Sequence, residues 1–473
     1  MKKYMLLLLL LFSIITSILI GQTLPEKIIV GYWHNWEYSP NTLLLTEIPE
    51  AYDVINIAFA TPTEPFGSTM QFCPDPGIYP NPDDFVTDIV YLQNLGKKVV
   101  VSIGGANDPV VLLNSTDVQN FVTSMSGIIT TYGFDGLDID LEGGSVSLDA
   151  GDNDFRYPTT PKIVNLIDAI TQLTDLMSEI ILTAAPETAY VQGGYCTYAG
   201  IWGAYLPIIH ALRDRLTLIH VQHYNTGSMY GRDGNLYYPL TADFHVAMAD
   251  MLLAGFQVDV WGGNIFFDPL EPMQVAIGLP ASNSAAGSGY TEPDIVHTAL
   301  DYIILGIPFS GQYQLSNPEG YFGFRGLMTW SINWDVDNNC EFSNAHRTYL
   351  DYLIGVSVFD NNYLEEIQNL ITLKNNFPNP FSSTTTISFS LTTPIQSVLL
   401  TGQTENTRNA ELIIYNIKGQ KVKQFKIQNL KIKINEVVWD GKDDKGNELS
   451  SGIYFYKLNA CDFQKVKKMI LMK

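Results

Sequence analysis

Residues 134–143 read FDGLDIDLEG, with Leu137, Ile139 and Leu141 at alternate positions and Asp138, Asp140 and Glu142 between them or just beyond. Successive side chains of a strand point to opposite faces, so the three acids share one face and the three aliphatic residues the other. Carboxylates crowded on one buried face repel, and at least one retains a proton near neutral pH. A carboxyl that keeps its proton beside an open groove can work as a general acid. A divalent cation also takes carboxylates, but three ligands in a line along one strand do not enclose an ion, and no His lies nearby in the sequence. Neither a metal nor a cofactor is therefore expected. Asp135 is out of phase with the ladder and is assigned a structural role at the strand's start.

The elements that must hold this ladder recur along the chain. Eight strand candidates occupy residues 27–36, 54–60, 97–105, 134–142, 181–187, 216–225, 273–282 and 324–335. Most have β-branched or aromatic centres and end in polar or Gly/Pro residues. Helix candidates such as 117–131, 162–179 and 294–305 lie between them. Eight strand–helix units predict an α/β fold, a (β/α)₈ TIM barrel. The rival, a doubly wound sheet, would carry a Gly-rich phosphate turn after its first strand, and none follows Trp36. With helices outside, the acid face is interior and Glu142 stands highest, at the C-terminal mouth where barrel sites lie. Two long connections, 61–84 with six prolines and 143–161, follow strands and are expected to wall a groove at that mouth.

Beyond residue 350 the pattern changes to period two with KG, DG and KGN turns, which predicts hairpins at 410–427 and 435–458 and a small all-β immunoglobulin-like sandwich. Charge changes at the same place: residues 374–473 hold 15 Lys and Arg against 8 Asp and Glu, and the remainder is net −29. The expected division is a signal peptide at 1–22, a barrel at 23–355, a linker at 356–374 and the sandwich at 375–473. The first segment pairs Lys2 and Lys3 with an apolar run from Met5 to Ile20, the pattern of an export signal and slightly short for a membrane span. No later segment is apolar enough to cross a bilayer. Hydrophobic residues at 46% supply a large core, and the total charge of −22 argues against nucleic acid as a partner. Cys73, Cys196, Cys340 and Cys461 form no CxxC pair, which speaks against a zinc or redox site.

DGLDIDLE resembles the DGxDxDxE signature of glycoside hydrolase family 18. SIGG (102–105), HYN (223–225) and LMTWSINWD (327–335) follow in the family's order, on the third, sixth and eighth strands, and AAPETAYVQGG (184–194) is similar to the bacterial chitinase D type. The resemblance covers about residues 27–350. It implies substrate-assisted hydrolysis, in which the sugar's own 2-acetamido oxygen attacks the anomeric carbon. It implies that Glu142 is acid and then base, that Asp140 orients the acetamide, that Asp138 shares a proton with Asp140, and that Tyr224 binds the acetamide carbonyl. It implies that Trp330 is the floor under the sugar. Tyr32 and Phe59 at the tips of the first two strands, with Gln222 and Asn225, complete the expected substrate-binding set.

Two departures stand out. Asn225 replaces the Asp many relatives have, with an expected effect on the pH optimum through Glu142. Asp108 stands where Gly is frequent. The gap between the seventh and eighth strands is too short for an inserted α+β domain, so the groove is expected to be shallow and the enzyme endo-acting or transglycosylating. The expected substrate is chitin or N-acetylglucosamine oligosaccharides, with an endo-β-N-acetylglucosaminidase of N-glycans and a non-catalytic chitin-binding lectin as alternatives. NFPNPFSSTTTISF (376–389) and the segments after it resemble C-terminal sorting domains of type IX secretion. That resemblance implies secretion machinery as a partner, and with the signal peptide it implies a secreted or cell-surface location; a monomer is expected. A carbohydrate-binding sandwich is the alternative for the tail, but Trp439, Tyr454 and Tyr456 read as core.

Overall fold

The computed structural model describes residues 24–37, 40–358, 371–391, 410–427, 433–460 and 463–473. They fall into two compact units, divided between Ile354 and Gly355. The expected signal peptide lies outside the described residues.

The first unit is a closed parallel barrel. Its strands are β1 (Ile28–His34), β2 (Val54–Pro62), β3 (Lys98–Gly105), β4 (Gly136–Leu141), β5 (Ile181–Ala184), β6 (Leu218–Gln222), β7 (Val275–Pro280) and β8 (Gly326–Trp330). Each pairs with its neighbours in sequence, and β1 pairs with both β2 and β8, which closes the ring. Helices pack outside: α1 (Pro82–Asn94), α2 (Ser115–Tyr132), α3 (Pro161–Leu176), α4 (Leu206–Leu212), α5 (Ala242–Ala254), α6 (Pro293–Leu305), α7 (Ile332–Asp337) and α8 (Glu341–Val358). Among the described residues the crossover from β1 to β2 carries a 3₁₀ turn, Leu45–Glu47, and no α-helix. A hairpin at 256–267, unforeseen in the sequence, follows α5.

Alternation along the strands sorts side chains into two cores. Leu137, Ile139 and Leu141 of β4 pack outward into the layer beneath the helices, whereas Val30, Tyr32, Val100 and Met328 fill the barrel itself. The chain is steered into β4 by two local devices. Gly133 ends α2 with φ at 70°, a left-handed conformation that suits glycine. Asp135 then accepts from the Val99 N–H at 2.8 Å and from Gln93 Nε2 at 2.9 Å, with Lys98 Nζ at 3.5 Å. Its side chain therefore anchors the strand's start, as expected from its phase.

The described residues of the second unit form two antiparallel sheets. β9 (Ile371–Leu373), β10 (Thr385–Leu391) and β13 (Lys433–Trp439) form one; β12 (Lys421–Ile427), β11 (Ala410–Asn416), β14 (Gly452–Ala460) and β15 (Phe463–Leu471) form the other. Trp439, Tyr454 and Tyr456 are buried between them with Leu412, Ile414 and Phe389. The segment 410–427 is a hairpin, but 435–458 is not: β13 pairs with β10 and β14 with β11 and β15. The twelve residues 440–451 are too long for a tight hairpin turn, and they form a loop organised by Asp443, which accepts from Lys445 N and Asn447 N at 2.8 Å. The expected linker at 356–374 is also revised, because α8 runs to Val358 and Ile371–Leu373 is already a sheet strand.

Candidate active site

Register decides what surrounds the acids. Asp138 lies opposite Ser102 of β3 and Thr183 of β5. Its carboxylate accepts from Ser102 Oγ at 2.6 Å, Thr183 Oγ1 at 2.6 Å and the Tyr32 hydroxyl at 2.5 Å. Three hydroxyl donors suit an anion. His220 Nε2, also fully buried, stands 3.5 Å from it. Tyr32 was expected to face the ligand, and that is corrected: it is 1% exposed, and its hydroxyl is spent on Asp138 one layer below the mouth. Replacing Asp138 by Asn turns an acceptor into a donor against this ring of hydroxyls. The expected loss of stability is about 1–3 kcal/mol, measured by denaturant unfolding followed through Trp fluorescence.

One step up, Asp140 lies opposite Gly104. A Cβ at Gly104 would fall 2.4 Å from the Asp140 carbonyl oxygen, and the residue's φ is +102°, so glycine alone lets the two strands approach here. Asp140 Oδ1 accepts from Gln222 Nε2 at 2.9 Å. The same nitrogen reaches Glu142 Oε1 at 3.3 Å and the Ala185 carbonyl at 2.8 Å. Gln222, expected to bind ligand, thus also joins the two carboxyls. Burial pushes the Asp140 carboxyl well above the usual range, and the charges of Glu142 and Asp138 push it further. The proton expected on the ladder therefore belongs high in the stack.

Glu142 is the first residue past β4, still extended at φ −118° and ψ 170°. Two tyrosines hold the backbone on either side. The Tyr205 hydroxyl accepts from Leu141 N at 2.8 Å and donates to Leu141 O at 2.9 Å; the Tyr190 hydroxyl accepts from Gly143 N at 2.8 Å. Burial raises the Glu142 carboxyl, and the Gln222 hydrogen bond opposes it. Asn225, expected to tune this acid, has another visible task. It adopts a left-handed conformation at φ 50°, and its Oδ1 accepts from Ser288 N at 3.2 Å.

These groups open onto a cleft of about 380 Å³ lined by Asp140, Glu142, Gln222, Tyr224, Asn225 and Trp330, together with Trp36, Phe59, Asp108 and Glu187. Trp330 lies 6.0 Å from Phe59 between ring centroids, nearly parallel at 14°, and 5.5 Å from Tyr32. The Tyr224 ring is buried to 5% exposure, and among the described residues nothing hydrogen-bonds its hydroxyl, which leaves it for a ligand. Among the described residues no group of three or more His, Cys, Asp or Glu is arranged to hold a metal ion.

Sequence reasoning missed Glu187, Tyr190, Tyr205 and Trp36. Glu187 ends the fifth strand candidate, at the same rim as Glu142, and that position was the available signal. It sits beside Gln222 through a parallel bridge. Burial and then the charge of Glu142 push its carboxyl up to about 7. Glu187→Gln removes a carboxyl whose charge and that of Glu142 oppose each other's ionisation. The alkaline limb of kcat/KM is expected to move toward acid. Stability gives a second readout. Below its ordinary value of 4.5 Glu187 is protonated whether folded or not; between 4.5 and about 7 the unfolded chain ionises it first, and the fold loses stability. The variant should match the native Tm below that window and exceed it above, measured by scanning calorimetry.

A family model described as glycosyl hydrolases family 18 matches residues 28–314. The chain belongs to this family. Chitinase D of Niallia circulans is 56% identical over 330 residues, which cover 69% of this chain and 62% of that protein. Chitinase ChiA of Flavobacterium johnsoniae is 35% identical over 424 residues, 86% of this chain and 26% of that one. A crystal structure of a family GH18 chitinase from Chromobacterium violaceum superposes with a TM-score of 0.63 at 40% identity, over 70% of this chain and 86% of the other. The chain thus spans under two thirds of chitinase D's length. Residues 381–462 match a second model, the FlgD Ig-like domain, in line with the all-β second unit. Within the family 18 barrel, the matched residues hold the whole acid ladder and Tyr224; Trp330 lies beyond them on β8.

Proposed function

We propose that the protein is an endo-acting chitinase that hydrolyses β-1,4 bonds between N-acetylglucosamine units with retention, using the substrate's acetamide as nucleophile. One observation carries this reading. Asp140 near the end of β4 and Glu142 just past it bind one amide nitrogen, so they share a wall of the cleft. Asp140 cannot attack the far side of an anomeric carbon whose leaving oxygen Glu142 protonates. A nucleophile supplied by the substrate fits the scheme that sets this family apart from two-carboxylate hydrolases. Glu142 donates its proton to the glycosidic oxygen as the acetamido oxygen closes on the anomeric carbon. Asp140 accepts from the acetamide N–H and offsets the positive charge of the oxazolinium ion. The Tyr224 hydroxyl donates to the acetamide carbonyl, and Trp330 stacks under the ring. Glu142, now a base, then takes a proton from the water that opens the oxazolinium.

Only α6 and loops lie between β7 and β8, which favours an open groove and internal cleavage. The test is to incubate the full chain with N-acetylglucosamine oligomers and with a high-mannose glycopeptide and to resolve products and anomers. Cleavage of the oligomers to β-anomers supports the proposal. Cleavage of the glycopeptide alone reassigns the protein to N-glycan processing, and binding without cleavage makes it a lectin.

For the second unit we infer a sorting role in type IX secretion, which places the enzyme outside the cell or on its surface. Its buried aromatics support this over carbohydrate binding: Phe377 is the exposed aromatic among its described residues. Deleting residues 371–473 is expected to keep the enzyme inside the producing cell, as read by fractionation.

A further inference from the structure

The groove continues past the acid cluster into a second cavity of about 430 Å³, whose wall includes Asn35, Thr61, Gln71 and Phe72. Trp36, Phe59 and Asp108 line both cavities, so a chain lying in one and entering the other passes Asp108. Asp108 is half-buried, and among the described residues neither a hydrogen-bond donor nor a cation is paired with it. Among the described residues no Lys, Arg or His lines either cavity; Asp108 lines both, and Asp140, Glu142 and Glu187 line the first. Outside residues 374–473 the chain is net −29.

A carboxylate on a partly buried residue is best satisfied by a cation. A fully acetylated chain offers Asp108 only neutral groups. A glucosamine unit, whose acetyl group has been removed, offers an ammonium. The acetyl group is required only on the unit whose acetamide reacts. We propose that Asp108 is a specificity residue that pairs with the ammonium of a glucosamine unit, so that the groove favours partially N-deacetylated chitin over the fully acetylated polymer. This rests on the reading of the cleft as a chitin-chain site.

The test is calorimetric titration of the full chain carrying Glu142→Gln, with and without Asp108→Asn, using N-acetylglucosamine oligomers and partially deacetylated oligomers of matched length. The deacetylated oligomers are expected to bind about two- to fivefold more tightly at low salt. That advantage should vanish in the Asp108→Asn protein and fade at about 1 M salt. An affinity ratio unchanged by Asp108→Asn overturns the proposal, as does failure of the deacetylated oligomers to bind. Cleavage assays with native Glu142 answer the separate question: if neither oligomer is cut, the hydrolase reading falls, and the affinity ratio still decides the role of Asp108.

Discussion

Replacing Glu142 by Gln is expected to lower kcat on N-acetylglucosamine oligomers by about 10²–10⁴-fold, the range for loss of a positioned general acid. Gln keeps the shape and the approach of Gln222 but has no proton to give to the leaving oxygen. The backbone on either side is held by Tyr190 and Tyr205, so the fold and the oligomer Kd should change little. Removing an acid whose carboxyl is raised by burial also removes a cost of ionisation, so Tm at neutral pH should not fall. Single-turnover kinetics and calorimetric binding check both halves. Retention of more than a tenth of the native rate would move the acid to Glu187, the other carboxyl on the same rim.

Asp140→Asn is expected to lower kcat by about 10²–10³-fold, the effect of removing one group aimed at developing charge. Asp140 is buried under the cleft, and its Oδ1 is fixed by Gln222 at 2.9 Å. Asn can keep that hydrogen bond. It cannot carry the negative charge that offsets an oxazolinium ion, and it cannot share a proton with Glu142. The loss should therefore fall on kcat rather than KM, and the pH profile should simplify because one member of a coupled cluster is gone. Measuring kcat and KM across pH separates this from a binding defect: a rise in KM alone would mean that Asp140 only holds the ligand.

Much of this was legible in the sequence because it depends on local rules. The eight strands announce themselves by apolar runs with Gly, Pro or polar ends. Alternation along 134–143 places Asp138 and Asp140 inside the barrel and Glu142 at its mouth, and phase alone sets Asp135 apart. The same rules misjudged the second unit's 435–458, where two strands adjacent in sequence pair with different neighbours. Strand pairing is a long-range choice that period two cannot express.

What only the tertiary structure decided is which remote residues meet the acids. Parallel register sets Ser102 and Thr183 opposite Asp138, and Tyr32 turns inward to donate to the same carboxylate, a position indistinguishable from a ligand-facing one in a strand-tip pattern. Gln222, from β6, joins Asp140 to Glu142, and Glu187 joins their cluster from the end of the β5 segment. Burial then decides which acids keep a proton, because desolvation and neighbouring charge depend on distances that no spacing along the chain contains. Sequence by itself determined that a ladder of acids would climb a barrel strand to an open mouth; the closed ring of strands determined how those acids divide the work.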